Sequence, residues 1–330
     1  MTLAPPRPSQ WTEEPVVDEP VPLRPGRTRA DFAFQVTLVA ASAIVLLAIG
    51  AILAFLVKYG FPALRYSGLK ILTSDDWAPQ SLHPSYGMLG ILLGTVMISV
   101  EALLLALPIA IAGALMINEY APQWAKRGLT AVVDLLAALP SLIYGLWGLR
   151  VLSPQIYPFT VWLSHYADFI PLFRVPNDTY GNSIFICGVV VSIMILPIVT
   201  SISREVMSQC PRDACEAALA LGGTKWGMAT DVILPFARNG IVGASLLGLG
   251  RALGETVAIL LILSQTNVIH INILEPGGGD IPALIANNFE SSADPTKSAM
   301  TLAGLLLFVT ILGINWIARK VVSRPQVKVV

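Results

Sequence analysis

Charge is scarce in this sequence: Asp, Glu, Lys and Arg supply 13% of its 330 residues, about half the share of an ordinary soluble domain. With 55% of the chain hydrophobic, a soluble enzyme of the cytosol or of a lumen is excluded. Basic and acidic residues balance at 21 each, so no net positive field exists to hold nucleic acid. Cysteine is rare and odd in number. Cys187, Cys210 and Cys215 show neither a C-x-x-C nor a Cys/His ligand spacing, which argues against a disulfide framework and a metal site. His83, His165 and His270 stand apart from one another and read as ordinary surface residues. No G-x-x-x-x-G-K-[ST] occurs. Gly222-Gly223-Thr224-Lys225 lacks the upstream Gly and sets Thr before Lys, so no loop here cradles a nucleotide's phosphates. The first 31 residues hold seven prolines and no apolar signal-peptide region, and they read as a disordered cytoplasmic tail.

What the chain has in quantity is long apolar runs. Six of them, near residues 32–57, 88–117, 128–149, 181–203, 239–263 and 298–318, are long enough to cross a bilayer. They predict an all-α, polytopic membrane protein with six transmembrane helices over 32–318 and a second cytoplasmic tail over 319–330. Pro108, Pro140 and Pro197 lie inside spans and are expected to kink them rather than break them. A seventh apolar stretch, Val151 to Phe173, interrupted only by Asp168, competes with this count. Six spans place fourteen Lys/Arg residues inside and six outside, whereas seven would place eight inside and twelve outside. Positive charge belongs on the cytoplasmic side, so six spans with both termini inside is the expected topology. Val151 to Phe173, with Pro154, Pro158 and Pro171, is then an irregular or interfacial outer segment.

Between the fourth and fifth spans, Arg204 to Arg238 is far longer than the usual connection between packed helices, so it serves something outside the membrane. Pro211-Arg212-Asp213 starts a helix, Asp213 and Glu216 suit the positive end of its dipole, and Gly222-Gly223 stops it. Its small side chains let a partner approach closely, with Trp226 beside it as an aromatic anchor. The bland alternative is an amphipathic helix lying on the inner leaflet, which the absence of a Lys/Arg-rich polar face disfavours.

The run EAALALGGTKWGMATDVILP, Glu216 to Pro235, resembles the E-A-A-x3-G-x9-I-x-L-P signature of the inner-membrane subunits of binding-protein-dependent ABC importers. Glu216, Ala217, Ala218, Gly222, Leu234 and Pro235 fall in register, and Val232 stands where the pattern has Ile. This resemblance implies the type I ABC importer permease fold. It also implies that the loop is a coupling helix, with Glu216, Ala217, Ala218, Gly222 and Trp226 at the contact with an ATPase subunit. DLLAALPSLIYGLWGL (Asp134 to Leu149), LPIAIAGALMINEYAP (Leu107 to Pro122) and GLGRALGETVAILLI (Gly248 to Ile262) resemble the phosphate importer permeases, the PstC type more than its PstA partner. By that resemblance the cargo is inorganic phosphate, carried across a bacterial inner membrane. The partners would be a second, PstA-like permease, two PstB-like ATP-binding subunits, a PstS-like extracytoplasmic phosphate-binding protein, and lipid. The chain itself would bind no cofactor, ATP and Mg staying on the ATPase subunits. A permease of the same architecture for molybdate or sulfate is the alternative.

Charges at membrane depth mark function by default. Arg251 lies near the middle of the fifth span, and Glu255, four residues on, is placed to pair with it within one helix. The pair is either a structural device or part of the path, with Arg251 offering its planar fork to a phosphate oxyanion and Glu255 as counter-ion. Glu101, in the second span, is a further candidate partner on the path. Asp134 sits near the inner end of its span. An intramembrane hydrolase would need a Ser/His, paired-acid or H-E-x-x-H constellation at this depth, and the sequence offers none, so the chain is not expected to be an enzyme. A passive channel would have no use for the long loop. The triple glycine before Asp280 reads as a flexible turn in an outer loop.

Overall fold

The computed structural model describes residues 29–322 apart from 82, 177, 267, 268 and 270. Most of the expected terminal tails (1–28 and 323–330) and His270 therefore lie outside the described residues. Helix α1 (Arg29–Ser67) is 39 residues long, and its side chains through Ile52 are exposed, as lipid contact requires. A two-residue hairpin, β1 (Trp77–Ala78) with β2 (Ser85–Tyr86), leads into α2 (Leu89–Leu115), which a π-type turn prolongs through Tyr120. Then come α3 (Gln123–Ala137), α4 (Ser141–Trp147), α5 (Ser153–Tyr166), α6 (Ile184–Ser208) and the short α7 (Arg212–Ala220). The chain closes with α8 (Leu234–Leu253), α9 (Val257–Ile262), α10 (Ile281–Asn288) and α11 (Asp294–Val322). Among the described residues five helices are long and apolar enough to span, and a sixth crossing results if α3 with α4–α5 is one bent span.

Small residues set the packing. Ala102, Ala106, Ala110 and Ala114 recur every four residues on α2 and are fully buried, which lets α6 approach closely in a bilayer where apolar burial alone gives helices no reason to associate. Glycines on the facing helices do the same. Gly248 of α8 lies under Val199 and Gly240 under Val206, both of α6.

Two expectations about the spans need correction. Pro140 does not merely kink the third span. Residues 138–140 separate α3 from the helix that follows, and the two axes differ by 88°. Proline bars its predecessor from helical geometry, and the Leu136 carbonyl, which Pro140 has no N–H to bond, accepts instead from Tyr144 O–H at 2.8 Å, which holds the break in place. Pro108 and Pro197, by contrast, stay inside unbroken helices. Of the two forms expected for 151–173, irregular or interfacial, the first is corrected as well. The segment is helical to Tyr166, with Pro154 in the first turn of α5, where a missing N–H is harmless. Phe159 stacks on Phe185, and Ser164 bonds Tyr180 at 2.6 Å, which holds α5 against the start of α6.

The triple glycine is not a flexible turn. Gly277, Gly278, Gly279 and Asp280 are buried, and Gly277 (φ 96°) and Gly278 (φ 144°) hold conformations that side chains resist. Ile281 N–H donates to Thr95 Oγ1 of α2 at 2.9 Å, and Asp280 Oδ2 caps α10 by accepting from Ala283 N–H at 3.0 Å. The loop is a wedge seated on α2. Asp280, outside the spanning helices, is 0% exposed, and its Oδ1 has no partner. Burial pushes its carboxyl up to about 7, against the pull of the Ala283 amide and Thr95. Between its ordinary value of 3.8 and about 7, the folded chain keeps a proton that the unfolded chain has released. Stability therefore falls as pH rises through that window and levels off above it. Asp280→Asn keeps the cap without the charge. Its melting temperature in detergent is expected to lose this slope between about pH 5 and 7 and to exceed the parent's at about pH 8. An unchanged slope would refute the assignment.

Candidate functional site

One candidate surface is α7. Pro211 starts the helix, and a complete C-terminal cap ends it: Gly222 N–H donates to the Leu219 carbonyl and Gly223 N–H to the Ala218 carbonyl. Gly222 takes φ 87°, which a side chain would resist. Thr224 Oγ1 then accepts from Gly227 N–H at 3.1 Å and opens the next helical turn. This double punctuation leaves Leu221 90% and Trp226 64% exposed. Glu216, Ala217 and Gly222 are exposed as well.

Ala218 departs from expectation. It is half-buried and packs, with Cys210 and Cys215, against the apolar cluster that includes Met207 and Met228, on the face that holds α7 to the bundle. Ala218 therefore seats the knob, while Leu221, which sequence reasoning passed over, projects from it. The signal was available, since a helix-stopping Gly-Gly strands whatever apolar residue precedes it. Under the same face Cys215 Sγ–H donates to Cys210 Sγ at 3.8 Å. Burial pushes the Cys210 thiol up to about 11, so thiolate is scarce at neutral pH and the pair serves as packing.

The second candidate surface follows α8. The fifth span is not one helix. α8 ends at Leu253, Gly254 caps it, and α9 begins at Val257. Glu255 falls in the break, is 7% exposed, and accepts from Ala258 N–H at 3.1 Å, so it caps α9. The expected Arg251–Glu255 pair is thus absent. A four-residue spacing brings side chains together only along a continuous helix, and this helix stops between them. Among the described residues the ion pair within 4 Å is Arg174–Asp168, exposed and of little energetic weight. Arg251 instead lines a cavity of about 940 Å³ along α8 and α11, together with Asn239, Gly243, Gly250, Asn315 and Arg319.

Glu101 also leaves the expected arrangement. It packs against Gly188 of α6, with both carboxyl oxygens buried and without a partner, and it does not reach Arg251. Asp134 accepts from Ser201 Oγ at 3.1 Å. Gly188 and Ser201 are thirteen residues apart on α6, about 20 Å along its axis, so the two acids form no catalytic pair. The cavity that holds Arg251 has no carboxylate in its lining. The intramembrane field around Arg251 is therefore more welcoming to an anion than the tally of charges in the sequence suggested.

The family profile described as "Binding-protein-dependent transport system inner membrane component" matches residues 105–326. The chain is 40% identical over 305 residues, 91% of its own length and 94% of the relative's, to "Phosphate transport system permease protein PstC 2" of Mycobacterium tuberculosis. It is 36% identical over 299 residues to "Phosphate transport system permease protein PstC" of Xylella fastidiosa, covering 90% of this chain and 91% of that one. Among solved structures, a chain of the bacterial alginate ABC transporter in complex with its pentasaccharide-bound periplasmic protein superposes with a TM-score of 0.55 at 20% identity. That match covers 90% of this chain and 98% of the other. The fold shared at that level of identity is the permease fold.

Proposed function

We propose, because the chain belongs to the family of binding-protein-dependent transport system inner membrane components, that it is one of the two membrane subunits of an ATP-driven inorganic phosphate importer. In this reading a second permease completes the path, an extracytoplasmic binding protein delivers phosphate, and two ATPase subunits bind ATP and Mg and drive the cycle. Both termini and α7 lie in the cytoplasm, the side richer in Lys and Arg. The observation that carries the reading is α7. A nine-residue helix, fixed at both ends and backed by its own apolar cluster, and the turn that follows it leave Leu221 and Trp226 exposed. Large apolar side chains exposed on a rigid base suit the anchors of an interface, and the missing Lys/Arg-rich polar face disfavours a helix bound to the leaflet. Closure of the ATPase pair moves α7, and α6 and α8, attached on either side of it, carry the motion to the cavity.

The cavity recognises charge and the fork geometry of an oxyanion but offers nothing in its lining that separates phosphate from sulfate or molybdate. The relatives' phosphate names therefore carry the choice of cargo, and selection falls to the binding protein. The test is reconstitution in proteoliposomes. The complete importer is expected to take up phosphate with ATP and the chain alone to take up none, while Leu221→Cys and Trp226→Cys, with Cys210 and Cys215 replaced, crosslink to the ATPase. ATP-driven uptake by the isolated chain, or crosslinking of both positions to lipid probes alone, would overturn the reading.

A further inference from the structure

The cavity beside Arg251 continues well past it. Along α8 the lining residues Asn239, Gly243, Gly250 and Arg251 keep helical spacing on one face. From Asn239 to Arg251 that face rises about 18 Å. In the orientation proposed above, on which this inference rests, Asn239 is near the cytoplasm and Arg251 near the midplane. α11 runs the opposite way and brings Asn315 and Arg319 to the same cavity from its cytoplasmic end. Two guanidinium groups and two carboxamides thus share one apolar, glycine-lined space.

A basic residue at the inner end of a spanning helix has an ordinary explanation, attraction to the cytoplasmic membrane surface. On α11 that task falls to a different face. Lys320 lies over the ring of exposed Trp316, 4.2 Å from its centroid, one turn apart along the helix. Asn315 and Arg319, also one turn apart, line the cavity instead, and among the described residues no carboxylate pairs with Arg319. An unpaired fork beside two amide groups suits a tetrahedral oxyanion.

We propose that Arg319, with Asn315 and Asn239, forms a second oxyanion subsite at the cytoplasmic mouth of the cavity, which receives phosphate from Arg251 before its release. With only one cationic contact, phosphate would leave Arg251 for an apolar wall. A second, hydrated guanidinium lowers that step, and because it sits in water it holds the ion weakly enough to let it go.

A thiol reporter tests this in the complete importer. Gly243 faces the cavity with open space where a Cβ would go, so Gly243→Cys fits in a background from which Cys187, Cys210 and Cys215 have been replaced. Its rate of reaction with a negatively charged methanethiosulfonate is measured with inorganic phosphate or with chloride at equal ionic strength. Phosphate is expected to slow the reaction about fivefold by occupying the subsite and repelling the reagent. Arg319→Gln should remove most of that protection, and Arg319→Lys should keep part of it. Protection that is equal in the parent and in Arg319→Gln, or no protection by phosphate in either, overturns the subsite. Phosphate-stimulated ATPase activity is recorded on the same preparations. Its absence would count against the transport reading, whereas its presence with unchanged protection would sink the subsite alone.

Discussion

Replacing Arg251 with alanine is expected to reduce phosphate uptake by about a hundredfold or more while leaving assembly and ATPase docking intact. Each hydrogen bond between a charged group and its partner is worth about 1.5–3 kcal/mol, so losing both prongs of a fork on the passing oxyanion removes about 3–6 kcal/mol. That is at least about a hundredfold in occupancy of the path at its deepest point. Assembly should survive because Arg251 is exposed on the cavity wall and holds no ion pair within the chain. Its removal strands no buried carboxylate. Glu255, which the intact helix of the sequence would have left unpaired, stays bonded to the Ala258 amide. Arg251→Lys keeps the charge without the fork and should retain intermediate uptake. Glu255→Gln keeps the capping acceptor and should assemble like the parent. Uptake of labelled phosphate by proteoliposomes holding the complete importer decides it. A parent rate in Arg251→Ala would move the path away from this cavity.

The spans and the knob were legible in the sequence, the one from apolar runs and the other from turn chemistry, because both signals are local. Gly222-Gly223 stops a helix wherever it occurs, and the cap bonds at Ala218 and Leu219 follow from that. What escaped was decided by neighbours. Pro108, Pro140 and Pro197 look alike in sequence, yet Pro140 separates two helices and the others do not. At Pro140 the freed Leu136 carbonyl is taken by Tyr144 O–H from beyond the break, a partner that only the folded arrangement brings to it. Arg251 and Glu255 stand at a helical spacing, and only the stop at Gly254, with the Ala258 amide competing for the carboxyl, parts them. Arg319 looks like any inner-end basic residue until the rotation of α11 turns it to the cavity and turns Lys320 to Trp316. Ala217 and Ala218, adjacent in the motif, differ in the same way, the first exposed and the second half-buried.

Gly94→Ala and Gly279→Ala are each expected to destabilise the protein by about 1–3 kcal/mol or more, enough to lower its yield in the membrane, although each adds a single methyl group. The Cβ added at Gly94 would meet the Gly279 carbonyl, and the one added at Gly279 would meet the Ile91 backbone at 2.5 Å. Backbone cannot swing aside as a side chain tip can, so the wedge over 277–280 would have to lift from α2. Lifting it would break the Ile281–Thr95 bond and open Asp280 to water. The control is the same substitution elsewhere. Gly50 and Gly313 sit in α1 and α11 with nothing near the site of a Cβ. There alanine should be neutral or stabilising by up to about 1 kcal/mol, the helix propensity it gains over glycine. Thermal unfolding of the four purified variants in one detergent separates the cases. Losses at Gly94 and Gly279 alone would place the effect in the close approach of the two backbones, whereas equal shifts at all four positions would reduce it to a general property of glycine in these helices and leave the wedge without a structural role.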